Sequence, residues 1–316
     1  MDGALIIDKP VGLTSHDVVA RVRHLLRERR VGHTGTLDPF ATGLLIVLIG
    51  RATRLAQFLS GLQKEYEAVI RLGFATDTGD ITGKPLVNSE ALSAHAAGSD
   101  VMLGESEIEA ALASLRGDID QVPPMYSAKK QQGRKLYELA RRGEEVERQP
   151  VRVTIQRFEM NRAGGLLKDN RDGTYDLDVL VACSAGTYVR TLAEDFGKQL
   201  GIGAHLAELR RTRVGSFTIG SASTLEQLKE SVAEESLGRV LLPPDDVLAH
   251  LPVVDLSDAD LRKVRNGVSV EVSEPEWTSG AQVRLRDQHG HLVAVGSFEA
   301  GKNSLRPRVV LAQKEA

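Results

Sequence analysis

The sequence is poor in cysteine and in long apolar runs. Its one cysteine, Cys183, excludes an intramolecular disulfide and a structural zinc site built from several thiolates. No run of eighteen apolar residues occurs, which excludes a transmembrane helix of the usual kind, and the segment Met1–Asp8 is too short and too acidic for a signal peptide. We therefore expect a cytoplasmic protein that does not bind a membrane.

The common cofactor-binding motifs are also missing. Gly79–Lys84 is not a Walker A loop, because only three residues separate its glycines and a proline follows, and no Gly-x-Gly-x-x-Gly fingerprint occurs. His289 and His291 are more typical of a hairpin tip than of a metal site. The sequence therefore predicts no metal, nucleotide or redox cofactor.

The charge is nearly balanced, with 40 basic and 43 acidic side chains and a net charge of −3, which argues against a protein that coats nucleic acid non-specifically. Basic residues nevertheless cluster between Lys129 and Arg152 and again at Arg210, Arg211 and Arg213. A local basic face would suit a polyanion bound in one orientation. For any one of these runs, a solvated helix face is an equally common explanation.

The length of 316 residues favours one large domain followed by a small one. Prolines and acids cluster between Pro243 and Pro252, so we expect domains at 1–248 and 249–316, the second small and β-rich. Strands and helices do not alternate regularly, and hairpins join several strands. These features favour an α+β fold with a mixed, largely antiparallel sheet over a doubly wound parallel one.

Local patterns predict several elements. The alternation in Lys64–Leu72 predicts a strand with Tyr66 on its apolar face. Helices are expected after two N-caps, Ser15 and Thr187. The further predictions are a helix over Ala52–Leu59, a helix ended by Gly117, a basic helix over Leu136–Arg141, a hairpin of strands Val151–Met160 and Thr174–Cys183, and C-terminal strands over Gln282–Leu285 and Leu292–Phe298.

The stretch Val31–Gly43 is the most informative part of the chain. Three glycines, three threonines and an Asp-Pro pair predict a shaped loop, followed by a buried strand over Leu44–Ile49. Asp38 and His33 lie five residues apart on this loop, where the backbone could curl closely around a ligand. The loop by itself is equally compatible with an Asp-Pro turn and a satisfied histidine.

Arg190 is expected near the start of the helix that Thr187 caps, where the positive end of the helix dipole disfavours a cation. An anionic group should therefore hold it. Asp38 is a candidate, since an arginine partner would keep that carboxylate ionised and fix its direction. The alternative is an Arg190 that faces solvent.

Seven blocks in this order resemble the TruB family of tRNA pseudouridine synthases and cover roughly the first 215 residues. They are Asp8-Lys9-Pro10 with Gly12, Gly32–Leu45, Lys64–Tyr66, Thr76–Asp80, Pro123–Lys129, Ser184–Arg190, and Gly203–Leu206 with Leu209–Arg211. Beyond Val253 the chain resembles, more weakly, the PUA-type RNA-binding module of that family.

The resemblance implies an isomerisation in which the bond from ribose C1′ to uracil N1 breaks, the base turns, and C5 is joined to C1′. The family needs no cofactor, and its substrate is the uridine at position 55 in the TΨC loop, within the T-arm of tRNA. By resemblance Asp38 is the catalytic carboxylate. Whether it attacks C1′ or removes the C2′ proton stays open, but both routes require its ionised form.

The resemblance also assigns the other site residues. Arg190 keeps Asp38 ionised, Tyr66 stacks on the flipped uracil, and His33 fills the space that the base leaves. Tyr188 and Leu209 complete the pocket wall, and the early block adds Lys9 and Pro10 as substrate-binding residues. For Tyr66, a position in the core is a strong alternative. The basic residues of 129–152 and 210–213 are candidates for phosphate contacts.

Two other functions remain open. The first is a non-catalytic RNA-binding or RNA-folding protein on the same scaffold, in which the loop only wedges into RNA. The second is a related synthase that works with a guide RNA and partner proteins. The absence of basic extensions at either end favours an enzyme that acts alone, and we expect a monomer with no obligate protein partner.

Overall fold

The structure is a computed structural model that describes residues 1–86, 103–127, 129–131, 133–140, 142–144, 146–162, 165–273 and 276–311. The predicted excursion Pro85–Gly104 lies largely outside these residues. None of the helices in the described ranges is long and apolar enough to cross a membrane.

The larger part of the chain mixes helices and strands as predicted. In order, its elements are β1 (Gly3–Lys9), α1 (Ser15–Leu26), β2 (Val31–His33), β3 (Thr42–Ile49), a 3₁₀ helix (Gly50–Leu55), α2 (Ala56–Leu59), β4 (Lys64–Leu72), α3 (Glu105–Ser114), β5 (Gly117–Gln121), β6 (Lys130–Gln131), β7 (Arg134–Lys135), α4 (Leu136–Ala140), β8 (Val151–Met160), β9 (Lys168–Asp169), β10 (Tyr175–Cys183), α5 (Val189–Leu200), β11 (Ala204–Val214), β12 (Phe217–Thr218), α6 (Leu225–Ala233) and α7 (Pro244–Val247).

A ten-stranded sheet carries this part, with the central order β1-β3-β11-β4-β10-β8-β5. Its described pairings are antiparallel except that of β3 with β11, which confirms the α+β fold with a mixed, largely antiparallel sheet. The parallel pair aligns Arg211 with Gly43. This register brings β11 against the end of the glycine-rich loop.

Apolar side chains cover the sheet on both sides near β1 and β3, and on one side near β4 and β10. Ile6 and its neighbours on one face pack toward the 3₁₀ helix, whereas Leu5 and Ile7 pack toward α1 and α6. The alternating face of β4 that was predicted from Tyr66 is buried against α3 and α5. The site described below lies where this last core meets the loop between β2 and β3.

The C-terminal part forms a separate five-stranded sheet, as expected of a small β-rich unit. Its elements are β13 (Val253–Asp255), α8 (Asp258–Arg265), β14 (Val270–Glu271), β15 (Gln282–Arg286), β16 (Leu292–Glu299) and β17 (Ser304–Val310), in the sheet order β13-β15-β16-β17-β14. Arg51 and Arg54 each donate a hydrogen bond of 2.6 Å to a carbonyl at the end of this sheet, on Leu311 and Val310. The two sheets are therefore joined through the 3₁₀ helix, and the boundary at residue 248 stays a prediction.

Both predicted N-caps are wrong by one residue. Thr14 caps α1, because its hydroxyl accepts from the backbone N–H of Asp17 while Asp17 accepts from Thr14. Tyr188 occupies the N-cap position of α5, and the Thr187 hydroxyl instead donates to the carbonyl of Ser184. Ser15 is thereby free for a different contact, with the loop that carries Asp38.

Other predictions were wrong in extent. Val31–His33 is a strand rather than loop, because it pairs with the edge of β3. The segment Ala52–Leu59 is a 3₁₀ helix followed by one α-helical turn. The predicted basic helix is present over Leu136–Ala140, and its expected last residue, 141, lies outside the described residues. The helix expected to end at Gly117 ends at Ser114, and Gly117 begins β5.

Candidate active site

The loop Thr34–Ala41 is fixed to the start of α1 and to the turn after β1. The Ser15 hydroxyl accepts from the backbone N–H of Leu37 at 2.8 Å and donates to its carbonyl at 3.2 Å. The backbone N–H of Gly12 donates to the carbonyl of Pro39 at 2.8 Å. Asp38 thus lies between two residues whose backbones are held by neighbouring elements.

Lys9 is fully buried beneath this loop. Its ammonium donates to the carbonyls of Leu13, Pro10 and Pro39, at 2.7, 3.0 and 3.4 Å. Burial lowers the pKa of Lys9 to about 8, and the charge of Asp38 acts in the opposite direction. Lys9 therefore ties the turn to the loop, while Pro10 is exposed and takes part through its carbonyl.

Arg211 supports the loop from the other side. Only 2% exposed, it donates from Nε to the carbonyl of Leu44 at 2.7 Å and from Nη2 to that of Gly35 at 3.1 Å. Gly43 approaches the Arg211 backbone so closely that a Cβ there would collide with it. The expectation of a phosphate contact is therefore wrong for Arg211, because its guanidinium is committed to the loop.

The predicted pairing of Asp38 with Arg190 is confirmed. Nε of Arg190 lies 2.9 Å from Oδ2 of Asp38, and the Arg190 side chain is 5% exposed whereas that of Asp38 is 34% exposed. Arg190 is the second residue of α5. Gln121 fixes the start of that helix, since its amide bonds both the N–H and the carbonyl of Tyr188, at 2.7 and 3.0 Å.

The remaining nitrogens of Arg190 are also engaged. Nη1 donates to the carbonyl of Thr78 at 2.9 Å and lies 3.5 Å from a carboxylate oxygen of Asp80, while Nη2 donates to the carbonyl of Tyr126 at 2.8 Å. Asp80 is buried and accepts from the Thr82 hydroxyl at 2.6 Å. Sequence reasoning did not single out Asp80 or Tyr126, although both lie in blocks that carried the family resemblance.

The pKa of Asp38 is raised above its ordinary value, chiefly by burial and also by the charge of Asp80. The charges of Arg190 and Lys9 and the hydrogen bond to Arg190 lower it. The arginine therefore opposes a cost that burial imposes on the ionised carboxylate. It does so at the side of Asp38 that faces away from solvent.

The carboxylate of Asp38 opens on a groove of about 590 Å³. Its walls come from the start of α1, the loop between β2 and β3, the Thr78–Thr82 turn and the segment around Tyr126. Among the described residues, the lining includes Asp38 and Arg190 but not His33, Tyr66, Tyr188 or Leu209. The structure therefore brings only part of the expected site to one surface.

Tyr66 and Leu209 belong to the core beneath the loop, at 8% and 7% exposure, together with Leu37. The Tyr66 pKa is raised by burial, and a hydrogen bond between the Tyr66 side chain and Arg211 acts in the opposite direction. Leu209 also lines a second groove of about 570 Å³, which shares Phe40 with the first. Phe40 therefore lines both the groove of Asp38 and the groove of Leu209.

His33 lies at the end of β2 with its ring partly buried. Burial lowers its pKa to about 4, with smaller contributions from the charges of His16 and Arg211. The imidazole is therefore neutral near pH 7. Sequence reasoning assigned no role to His16, although its side chain lines the groove of Asp38.

Known proteins resemble this chain over most of its length. The family model "TruB family pseudouridylate synthase (N terminal domain)" matches residues 23–189, and "tRNA pseudouridylate synthase B C-terminal domain" matches residues 190–249. A protein of Pseudomonas aeruginosa named tRNA pseudouridine synthase B is 43% identical over 94% of this chain and 91% of its own length. One of the same name from Geobacillus thermodenitrificans is 45% identical over 84% of this chain and 85% of its own.

Among solved structures, a chain in a crystal structure of a Cbf5-Nop10-Gar1 complex is similar over 99% of this chain and 85% of its own, with a TM-score of 0.74 and 27% identity. The family models together span more than half of the sequence, and the curated relatives align over most of it. The chain belongs to the TruB family of pseudouridylate synthases. It is an isomerase that converts uridine to pseudouridine.

Proposed function

We propose that this chain isomerises the uridine at position 55 in the TΨC loop of tRNA, with Asp38 as the catalytic carboxylate. The observation that carries the proposal is the Asp38 carboxylate, which faces the groove and is held from behind by Arg190 at 2.9 Å. The relatives named tRNA pseudouridine synthase B support tRNA as the substrate.

The reaction breaks the C1′–N1 bond and forms a C1′–C5 bond. The hydrogen on C5 leaves as a proton, and N1 takes up a proton, so the product is an isomer of the substrate. Hydrolysis of a glycosidic bond usually takes two carboxylates, one of which protonates the leaving group. Here the base stays in the pocket and is used again, so one carboxylate can suffice. Attack at C1′ and removal of the C2′ proton both need ionised Asp38, which Arg190 favours.

The target uridine must leave its stack before Asp38 can reach its ribose, at a cost of a few kcal/mol. In our proposal Tyr66 stacks on the flipped uracil, His33 fills the vacated space, and Tyr188 and Leu209 complete the wall. Tyr66 and Leu209 lie beneath the loop that carries Asp38, so a base entering there would meet both. Lys9 and Pro10 contribute by shaping that loop.

The tRNA is recognised through its T-arm, since proteins read folded RNA through unstacked bases, backbone and shape. Exposed basic residues of 129–152, among them Lys129 and Arg142, are proposed to contact phosphates. Arg210 is bound to Asp8 through two hydrogen bonds, so it would reach RNA only by leaving that pair. The PUA-like unit, proposed at 249–316, contacts the RNA outside the T-arm.

We propose that the enzyme acts in the cytoplasm as a monomer without a protein partner. The test uses an unmodified tRNA transcript that carries tritium at C5 of uridine, because isomerisation releases that tritium into water. The parent chain should release it, and Asp38→Asn should reduce the rate to background. A transcript with cytidine at position 55 should release none.

The outcomes separate the competing functions. If Asp38→Asn released tritium at the same rate as the parent chain, the catalytic role of Asp38 would be contradicted. Release from the position-55 cytidine transcript would contradict the proposed target. A parent chain that binds and refolds the transcript without releasing tritium would favour an RNA-folding protein.

A further inference from the structure

We propose that His16 is a second RNA-contacting imidazole, which forms with His33 a perpendicular pair that holds an unstacked nucleotide next to the target. The inference rests on the proposed function, since it concerns the same RNA in the same groove. His16 is a positioning residue in this scheme, because it lies on the groove wall and takes no part in bond breaking.

The backbone around His16 is fixed. His16 is the second residue of α1, directly after Ser15, which bonds Leu37 of the catalytic loop. Thr14 and Asp17 close a capping box around it. Its imidazole is exposed and lines the groove of Asp38. The ring is therefore presented to the groove from a rigid helix start rather than from a mobile segment.

His16 also touches the residue expected to enter the RNA. The ring centroids of His16 and His33 lie 5.2 Å apart with planes at 83°, which is an edge-to-face contact. His33 is neutral because burial lowers its pKa to about 4. Among the described residues, its buried Nδ1 has no hydrogen-bond partner. A backbone hydrogen bond with Gly35 acts on the His33 pKa in the opposite direction to burial.

A pair of this kind suits an unpaired stretch of RNA. Single-stranded bases are commonly held by stacking on aromatic and histidine rings, and each such stack tolerates any base. With His33 in the space vacated by the uracil, the outer ring of His16 would meet a neighbouring nucleotide along the groove. The two rings would then prevent the loop from restacking while Asp38 acts.

The test compares His16→Ala, His16→Phe and His24→Ala. His24 is an exposed histidine on the same helix, eight residues further on, and serves as the matched control. Tritium release gives KM and kcat for the tRNA transcript. A transcript with 2-aminopurine at the nucleotide after the target, bound to each variant in an Asp38→Asn background, reports unstacking by fluorescence. Thermal melting of each variant reports folding.

We expect His16→Ala to raise KM about tenfold, the loss typical of one base stack, with kcat changed less than about threefold. It should also reduce the 2-aminopurine signal at saturating protein. His16→Phe should retain most of both, and His24→Ala should match the parent. Equal KM and equal fluorescence for His16→Ala and His24→Ala would overturn the inference, as would a fall in kcat alone.

The inference would also be overturned if His16→Ala bound tRNA more weakly, melted at a lower temperature and was not rescued by His16→Phe. His16 would then have a structural role only. The proposed function has its own failure, which is absence of tritium release from the parent chain. An active parent with indifferent His16 variants would leave the function intact and remove only this inference.

Discussion

Arg190 approaches Asp38 through Nε, at 2.9 Å, and its other two nitrogens bond carbonyls of separate segments. The guanidinium therefore holds the carboxylate and at the same time joins the Thr78 turn to the segment at Tyr126. Arg190 therefore stabilises the ionised carboxylate and also holds the two segments together. Substitutions that change its charge or its hydrogen bonds can separate these two effects.

Arg190→Ala should depress turnover far more than RNA affinity. The variant leaves Asp38 beside Asp80 without the intervening cation, so we expect kcat to fall about 10²-fold or more while the dissociation constant for tRNA changes less than about threefold. Arg190→Lys should recover only part of kcat, since a point charge cannot bond all of these oxygens. Single-turnover rates and filter binding measure the two quantities. Equal losses in both would contradict the assignment.

The pH dependence of the reaction should report the raised pKa of Asp38. Because the ionised form acts, kcat/KM should increase with pH through that pKa and then level off. The midpoint should lie above the ordinary value of 3.8, since burial raises it. In Arg190→Lys the midpoint should stay close to that of the parent, and in Arg190→Ala it should move upward. A midpoint below 3.8 in the parent would contradict the assignment of this limb to Asp38.

Asp38→Asn should stabilise the folded protein at neutral pH. A pKa that is higher in the folded than in the unfolded state means that the folded chain binds the proton more tightly, so the contribution of Asp38 to stability is present at low pH and is lost as pH rises through that pKa. Asparagine cannot ionise, so Asp38→Asn does not lose this stability as the pH rises. We expect its melting temperature to exceed that of the parent by up to about 2 °C at pH 7, because solvent screens the exposed part of the side chain.

The difference between the two melting temperatures should shrink as the pH falls through the raised pKa of Asp38, because the folded parent then binds the proton. Scanning calorimetry in matched buffers measures it. A parent that melts higher than Asp38→Asn at pH 7 would show that the pKa of Asp38 is lowered rather than raised by folding.

Periodicity and turn chemistry predicted the elements whose pattern is local. The strand Lys64–Leu72 shows a strict alternation, and the loop at Thr34–Ala41 contains residues that disfavour both regular structures. The strand Ala204–Val214 was missed, because its register is interrupted near Leu206 and again near Arg211, so alternation does not persist along it. Its partners are also distant in sequence, and no local signal identifies them.

The site residues that could be predicted are those that lie in recognisable sequence motifs. The pairing of Asp38 with Arg190 followed from a cation placed at a helix start, although the capping residue was misplaced by one position. The role of Arg211 could not be predicted, since an arginine in a basic cluster is usually interpreted as a phosphate ligand. Only the parallel pairing of β11 with β3 shows that its guanidinium lies under the loop.

Arg211→Met should therefore destabilise the protein by about 3 kcal/mol, because it leaves the buried carbonyl of Leu44 and the partly buried carbonyl of Gly35 without this donor. Arg213→Met is the matched control, since Arg213 is 48% exposed and lies 3.7 Å from Glu65. It should cost less than about 1 kcal/mol. Urea denaturation measures both, and equal costs would contradict the buried role of Arg211.

Salt titration of tRNA binding separates the same two arginines. Arg213→Met should lower the slope of log affinity against log salt by about 1 if Arg213 contacts a phosphate, whereas Arg211→Met should leave the slope unchanged. A reduced slope for Arg211→Met alone would restore the original interpretation of that residue as a phosphate ligand.

Gly79→Ala should disturb the site through the turn that contacts Arg190. Gly79 has φ of +71°, and a Cβ there would collide with the carboxylate of Glu194 on α5. The Glu194 side chain must shift to make room, and any side chain at this left-handed position strains the turn that holds the Thr78 carbonyl and the Asp80 carboxylate. We expect turnover to fall about tenfold and stability to fall by roughly 2–3 kcal/mol, from backbone strain together with the collision.

Gly173→Ala isolates the strain alone. Gly173 has φ of +85°, but nothing lies within 4 Å of a Cβ at that position, and its hairpin is remote from Asp38 in sequence. It should cost only about 1–2 kcal/mol and leave turnover unchanged. Urea denaturation and tritium release on the two variants provide the comparison. If Gly79→Ala behaved like Gly173→Ala in both measurements, the contact of this turn with Arg190 would have no effect on catalysis.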